Sequence, residues 1–250
     1  MGLHVGTMGW SYGFWKGSFY PKKLVSKDFL GYYAKQFGTV EVDSTFYRIP
    51  RVQSVLDWKE QTPEGFLFSL KFPQVITHVK MLKGCQEEVA VFLERVALLK
   101  EKLGVLLIQF PYAFGAEYVS RLRDFLQNLP KTHRYVVEVR NLKLLNEGLY
   151  SVLRDNNVVL GWVNSPFMPE ISEVTSDFIY VRWEGDRRRV DGTLGRREVD
   201  RSAKIAAWAD KLKPFLEERT EVFGYFSKYY SGDSVSDAKD LLSIFAGTDM

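Results

Sequence analysis

The feature that most constrains the fold of this chain is the alternation of short strand-like runs with segments of helical spacing. Several of these runs are continuously apolar, as expected for strands that are buried on both faces of a parallel sheet. Eight runs are predicted strands: Leu3–Thr7, Thr39–Asp43, Phe66–Phe72, Val105–Phe110, Tyr135–Arg140, Val158–Val163, Phe178–Trp183 and Glu221–Phe226. Strands in such an alternation indicate repeated βα units.

Helices are predicted between most of the strands from the spacing of their apolar residues. The clearest are Glu87–Lys102, Ala116–Leu129, Leu142–Arg154, Val199–Leu216 and Val235–Phe245. Eight βα units in 250 residues match the size of a (β/α)8 TIM barrel. We therefore predict an α/β fold, a single TIM-barrel domain over residues 1–250. An open doubly wound sheet is the alternative, but no G-x-G-x-x-G motif follows a strand to support it.

The composition restricts the class of protein without selecting a partner. Hydrophobic residues make up 46% of the chain, enough for a sizeable core, and the net charge of +3 permits an anionic partner without requiring one. The one cysteine excludes an internal disulfide and suits a reducing compartment. The first ten residues lack a secretory pattern, and no apolar run is long enough to cross a membrane. We expect a cytoplasmic protein with no membrane partner; its oligomeric state is not predicted.

Polar residues at the carboxyl ends of the predicted strands indicate a ligand site, because TIM barrels carry their sites at that end. Side chains alternate along a strand, so two acids share a face at the end of strand two, and acid–base pairs do so at the ends of strands five and seven. The predicted acid–base residues are Glu41, Asp43 and Glu138, and the predicted anion-binding residues are Lys71, Arg140 and Arg182. The alternative is a set of structural ion pairs, since buried charges must pair or meet a ligand.

Aromatic rings follow the first two strands. The stretch GTMGWSYGFWKGSFYP, residues 6–21, directly follows strand one, and we predict that Trp10 and Tyr12 line the site while its other rings pack the loop. Phe46, Tyr47 and Arg48 follow strand two, and Tyr47 and Arg48 are predicted substrate ligands. Aromatic faces stack on sugars or bases, and neighbouring arginines bind phosphates.

The histidines and the cysteine do not form a recognisable metal motif. His78 follows strand three and is predicted to bind substrate, as a general acid–base group or an anion donor. Structural roles are expected for His4, for His133 and for Cys85. No metal ligands are predicted, although carboxylates could still bind magnesium.

The loop of residues 184–201 contains six arginines that are nearly balanced by acids. Arginine is suited to phosphate binding. The loop is predicted to be either solvated and self-paired or a mobile lid that closes over an anion.

The strand ends and the opening stretch together resemble the YecE-like family of uncharacterised TIM-barrel proteins, over nearly the whole chain. The resemblance rests on Gly6–Tyr12, Trp15–Gly17, Phe19–Pro21, Val40–Pro50, Lys71 with Ile76–His78, Leu103–Gly104, Leu107 with Gln109–Pro111, Val137–Arg140 and Tyr180–Arg182. It implies a TIM-barrel fold and supplies no reaction. The chain departs from the family pattern at Asn141 and Glu184, where histidine is usual, and at Ser227, where the family has an asparagine-rich segment.

Three functions remain open from the sequence. The favoured one is an enzyme, a possible hydrolase or lyase, that acts on a phosphorylated or sugar-containing small molecule by carboxylate acid–base catalysis with arginine anion binding. The alternative is a nucleic-acid-binding or nucleic-acid-processing protein. The third is a non-catalytic scaffold whose polar strand ends are structural.

Overall fold

The computed structural model describes residues 2–247. Its strands are β1 Leu3–Thr7, β2 Thr39–Val42, β3 Leu67–Lys71, β4 Leu103–Gln109, β5 Arg134–Glu138, β6 Val159–Leu160, β7 Trp162–Asn164, β8 Phe178–Trp183 and β9 Glu221–Phe226. Its α-helices are α1 Phe29–Tyr33, α2 Ser44–Tyr47, α3 Val52–Glu60, α4 Gln86–Val96, α5 Val119–Gln127, α6 Glu147–Asp155, α7 Ser202–Glu217 and α8 Ser234–Ala246. The predicted α/β class, with parallel strands that alternate with helices, is confirmed.

Within the described chain two compact units are distinguished. The first unit comprises residues 2–41, 163–170 and 178–247, and the second comprises residues 42–162 and 171–177. The prediction of one domain stays a prediction.

A four-stranded sheet in the order β1-β9-β8-β7 lies mainly in the first unit. The strands β1 and β9 pair in parallel from Leu3 opposite Val222 to Thr7 opposite Phe226. β8 pairs with the other edge of β9, also in parallel, and sets Arg182 opposite Tyr225. Because neighbouring strands are parallel, the residues at their carboxyl ends gather at one edge of the sheet.

A five-stranded sheet in the order β2-β3-β4-β5-β6 lies mainly in the second unit. β4 pairs in parallel with both β3 and β5, and its register sets Gln109 opposite Glu138. β4 is buried along nearly its whole length, as its continuous apolar run predicted.

The sixth predicted strand, Val158–Val163, is divided in two. Val159–Leu160 pairs with β5, whereas Trp162–Asn164 joins the sheet of β8. Gly161 lies at the division, and a Cβ there would approach Val136 Cγ1 to 3.2 Å. An apolar run with one glycine does not reveal such a change of partner, because its composition is the same on both sides.

The glycine–aromatic stretch after β1 is partly core. Trp15 and Tyr20 are almost fully buried. The Tyr20 ring stacks on Phe29 with 4.1 Å between ring centroids, and its hydroxyl donates to Trp10 O at 2.6 Å. Trp10 and Tyr12, the predicted site-lining rings, are half-buried like Phe14 and Phe19, so burial alone does not separate lining rings from packing rings.

Segment 184–201 is docked in the first unit through its backbone. The amides of Glu198 and Val199 both donate to Ser231 O, at 2.7 and 3.1 Å. The segment is also self-paired, because the Glu198 carboxylate accepts the amides of Asp191 and Gly192. Backbone hydrogen bonds to a buried residue, Ser231, together with these internal contacts favour a fixed loop over a mobile lid.

No helix among residues 2–247 is long and apolar enough to span a membrane.

Candidate functional site

A buried carboxylate at the carboxyl end of β5 is held by two neighbouring side chains. Glu138 is fully buried, and its Oε1 accepts hydrogen bonds from Gln109 Nε2 at 2.7 Å and from Arg140 Nε at 2.8 Å. The strand register explains the first contact, because Gln109 lies opposite Glu138. The charged donor compensates the buried charge. Glu138 therefore orients Arg140, whose side chain is 30% exposed.

A second ion pair lies at the end of β3. Lys71 Nζ is 3.5 Å from Asp43 Oδ1, and it also lies 4.7 Å from the centroid of the Phe46 ring. Asp43 immediately precedes α2, and Thr45 on that helix donates to Lys71 O at 2.8 Å. This hydrogen bond ties α2 to β3. The Asp43 side chain is 36% exposed although its Oδ1 is itself buried, so part of this carboxyl group is accessible to a ligand, whereas Glu138 is fully buried.

His78 lies on a five-residue π-helical turn, Val75–Val79, that follows β3. Burial lowers the pKa of His78, and the positive charges of Lys71 and Arg140 lower it further against the opposing effect of Glu138. The ring is therefore neutral at neutral pH. We refer to Asp43, Lys71, His78, Glu138 and Arg140 as the second-unit site.

Two further predicted ligands lie beside this site. Tyr47 is 72% exposed and packs edge-to-face against Phe46, which in turn meets His78 edge-to-face at 4.9 Å. Arg48 follows α2 and is exposed. The structure thus brings predicted residues of the second unit that lie just after β2 and at or after the carboxyl ends of β3 and β5 into one polar and aromatic cluster.

In the first unit, the predicted residues Glu41 and Arg182 belong to a buried network. Glu41 accepts Tyr180 Oη at 2.7 Å and a two-pronged contact from Arg182, with Nε at 2.9 Å from Oε2 and Nη2 at 2.8 Å from Oε1. Arg182 also pairs with Glu184, and its Nη2 lies 3.3 Å from Met8 Sδ. Arg182 is 2% exposed.

Burial raises the pKa of the Tyr180 hydroxyl well above its ordinary value, and the Glu41 charge raises it further. Tyr180 therefore stays a hydrogen-bond donor. A carboxylate that accepts a hydroxyl and a bidentate guanidinium has its acceptor sites largely occupied, which favours a structural role. The catalytic assignment of Glu41 stays a prediction.

Trp10 and Tyr12 are both half-buried in the first unit. Tyr12 Oη donates to Met8 O at 2.6 Å, and Lys228 Nζ lies 5.7 Å from the Tyr12 ring centroid. The backbone contact holds the Tyr12 ring in place and leaves one face beside a cation. Their role as ligands stays a prediction.

The contacts of the remaining histidines and the cysteine are those of packed side chains. His4 hydrogen-bonds Glu221 at 2.8 Å and stacks on Phe223, and burial lowers the pKa of His133. Burial also raises the pKa of the Cys85 thiol. Within residues 2–247, no three His, Cys, Asp or Glu side chains are grouped to hold a metal ion. Magnesium binding stays a prediction.

Sequence reasoning missed a buried acid near the end of the chain. Asp237, in α8, is fully buried; its Oδ2 accepts Ser231 Oγ at 2.6 Å, and its Oδ1 lies 3.5 Å from Arg197 Nε. Burial raises the pKa of Asp237 to about 7, although Ser231 and Arg197 oppose the rise. A usable signal exists, because Asp237 lies four residues before Leu241 and so on the apolar face of the helix.

Comparison with known proteins identifies relatives over nearly the whole chain. A family model described as "Protein of unknown function DUF72" matches residues 4–249. UPF0759 protein YecE of Escherichia coli K12 is 34% identical over 146 residues, 58% of this chain and 51% of YecE, so the chain spans about half the length of this relative. UPF0759 protein YunF of Bacillus subtilis is 24% identical over 97% of this chain and 94% of YunF.

Solved structures agree with this relationship. A DUF72 family protein from Thermotoga maritima matches with a TM-score of 0.83 and 25% identity, covering 98% of this chain and all of that one. A DUF72 family protein from Enterococcus faecalis matches with a TM-score of 0.75 and 23% identity, covering 99% of this chain and 97% of that one. The predicted YecE-like relationship is confirmed, and this chain belongs to the DUF72 family.

Proposed function

We propose that the protein is an enzyme that acts on a small phosphorylated or sugar-containing molecule at the second-unit site. The observation that carries the proposal is the grouping of Lys71, Arg140 and the buried Glu138 around His78, with Asp43 beside Lys71. Arg140 is held by the buried Glu138 and Lys71 by the half-buried Asp43, and preorganised charge of this kind stabilises a developing negative charge.

Each residue has a role in this proposal. Lys71 and Arg140 bind the anionic group of the substrate, and Glu138 positions Arg140. Asp43 is the acid–base group, because it is the carboxylate of this cluster that is only half-buried. The exposed ring of Tyr47 offers a face on which a sugar can stack.

The proposal predicts selective binding of one ligand class. In a thermal-shift panel of sugar phosphates, nucleotides and oligosaccharides, one class is expected to raise the Tm saturably, because a ligand that binds only the native state stabilises it by mass action. Arg140→Ala is expected to weaken its Kd by roughly 10- to 100-fold, the loss of a charged hydrogen bond.

The matched control is Arg134→Ala. Arg134 is an exposed arginine at the amino end of the same strand, so its replacement removes the same charge away from the site. If both variants weaken ligand binding equally, the effect of Arg140→Ala comes from the loss of net charge and not from the site. If no class raises the Tm, or if Arg140→Ala binds as the parent does, the proposed site is wrong.

A second candidate function, nucleic-acid binding, is favoured by a surface of the first unit. Arg188 lies 4.3 Å from the Phe167 ring centroid, and Arg187 and Lys228 lie 5.6 and 5.0 Å from that of Tyr229. These five residues form what we term the arginine–aromatic surface. Bases stack on such rings while the cations meet phosphates.

This candidate predicts salt-dependent binding of a labelled single-stranded oligonucleotide, measured by fluorescence anisotropy. For single strands, the slope of log Kobs against log salt is about −0.7 for each neutralised phosphate. Replacing Arg187 and Arg188 with alanine is therefore expected to make the slope shallower by ~1.4. The control is alanine at Lys22 and Lys23, two exposed cations elsewhere in the same unit. Equal effects of the two double variants would contradict a specific surface.

A further inference from the structure

The π-helical turn Val75–Val79 brings two adjacent polar side chains into direct contact. Thr77 Oγ1 lies 2.9 Å from His78 Nδ1. The turn is closed by Lys80 N, which donates to Val75 O at 3.0 Å. Short π turns of this kind recur at functional sites, where they redirect side chains.

The proton in this contact can be assigned by accounting for donors. Thr77 is fully buried, and within residues 2–247 His78 Nδ1 is the only hydrogen-bond partner of its hydroxyl. If Nδ1 carried a proton, the buried hydroxyl would have no acceptor for its own. An unsatisfied buried donor is unfavourable by roughly ten- to a hundredfold in population. The hydroxyl therefore donates to Nδ1.

The other ring nitrogen is the one that a ligand can reach. Within residues 2–247 His78 Nε2 makes no hydrogen bond. This nitrogen is not fully buried, so solvent or a ligand can reach it. The charged groups that act on the His78 ring are Lys71, Arg140 and Glu138. Burial and the two cations lower the pKa of His78 by more than Glu138 raises it, so the ring is neutral. A neutral imidazole that accepts at Nδ1 carries its proton on Nε2.

We infer that Thr77 fixes His78 in the tautomer with its proton on Nε2, so that His78 donates a hydrogen bond to an anionic oxygen of the substrate. His78 is then neither a general base, since Nδ1 is occupied, nor an added positive charge. Thr77 is a positioning residue. That His78 donates to a substrate oxygen rests on the proposed function. The assignment of its tautomer does not.

The Nε2–H donor of His78 lies near two cations, Lys71 and Arg140. Lys71 and Arg140 supply charge, and His78 supplies a directional N–H without a charge that the neighbouring cations would repel. A neutral donor of this kind is suited to an oxygen whose negative charge develops during the reaction. The substrate class that fits is one with an anionic or carbonyl oxygen near its reacting atom.

The test is the tautomer of His78 in the ligand-free protein, measured by long-range proton–nitrogen correlation spectra of uniformly labelled samples at neutral pH. His78→Gln assigns its signals, and His4 and His133 serve as internal references. We expect Nε2 to show the shift of a protonated nitrogen and Nδ1 that of an unprotonated acceptor.

Two variants of Thr77 distinguish the effect of its hydroxyl on the His78 tautomer from any effect on folding. Thr77→Val keeps the shape and removes the donor, so the Nδ1–H form is expected to become populated. Thr77→Ser keeps the hydroxyl and is expected to retain the parent tautomer. A parent protein with its proton on Nδ1 overturns the inference, as does a Thr77→Val spectrum like that of the parent. Should Thr77→Val not fold, the parent and Thr77→Ser spectra still decide. Neither result depends on the Arg140→Ala binding test, so the two proposals fail separately.

Discussion

Replacing Arg182 with alanine is expected to lower the free energy of unfolding by about 3–5 kcal/mol, measured by equilibrium unfolding in urea. The reason is that Glu41 is fully buried and has Arg182 as its charged partner. Removing one member of a buried pair leaves an uncompensated charge in a low-dielectric environment. Arg182→Lys, which keeps the charge but loses the bidentate contact, is expected to lie between the parent and Arg182→Ala.

The matched control is Arg154→Ala. Arg154 also bridges two carboxylates, Glu147 and Glu173, but it does so on the surface of the second unit. Solvent screens such pairs, so no resolvable change is expected. Similar losses in Arg154→Ala and Arg182→Ala would show that burial does not decide the strength of these pairs. A parent-like Arg182→Ala would show that Glu41 is not held by this contact.

Asp237 is expected to make the protein less stable as the pH rises. Its pKa is about 7 in the folded protein and 3.8 ordinarily, so the folded state retains a proton that the unfolded state loses. The stabilising contribution is complete below pH ~3.8 and is lost as the pH rises through about 7. Between pH 5 and pH 8 the loss amounts to about 2–3 kcal/mol.

The measurement compares the parent with Asp237→Asn across that range. Asparagine keeps an acceptor for Ser231 Oγ and does not titrate. The difference in unfolding free energy between the two proteins is expected to change by about 2–3 kcal/mol in favour of Asp237→Asn from pH 5 to pH 8. Parallel stability profiles would mean that Arg197 keeps Asp237 ionised throughout.

The architecture was largely predictable because it depends on short, strongly patterned segments. The bounds of β1, β8 and β9 agree with the predicted strands. The division of the sixth strand was not predictable, since Gly161 interrupts the run without changing its composition. The π turn was also missed, because five residues do not define a helical period. The first failure arises because a local pattern does not report strand partners, and the second because the segment is too short to show a period.

For the site, the residue types at the strand ends were predictable and their partners were not. Alternation correctly paired Glu138 with Arg140. The contact of Gln109 with Glu138 depends on strand register, and that of Tyr180 with Glu41 joins residues far apart in sequence. Thr77 lay in a segment that carried the family resemblance, but its role was not predictable, because a threonine beside a histidine becomes informative only when burial leaves its hydroxyl a single acceptor.

The backbone hydrogen bonds between segment 184–201 and Ser231 have a thermodynamic consequence for association. A loop that becomes ordered only on binding subtracts its conformational entropy from the affinity. In the nucleic-acid-binding proposal, Arg187 and Arg188 extend from a segment whose backbone is already hydrogen-bonded within its unit, so mainly their side chains would lose freedom on binding. The proposal then expects an association rate that is set by diffusion and charge rather than by folding of the loop.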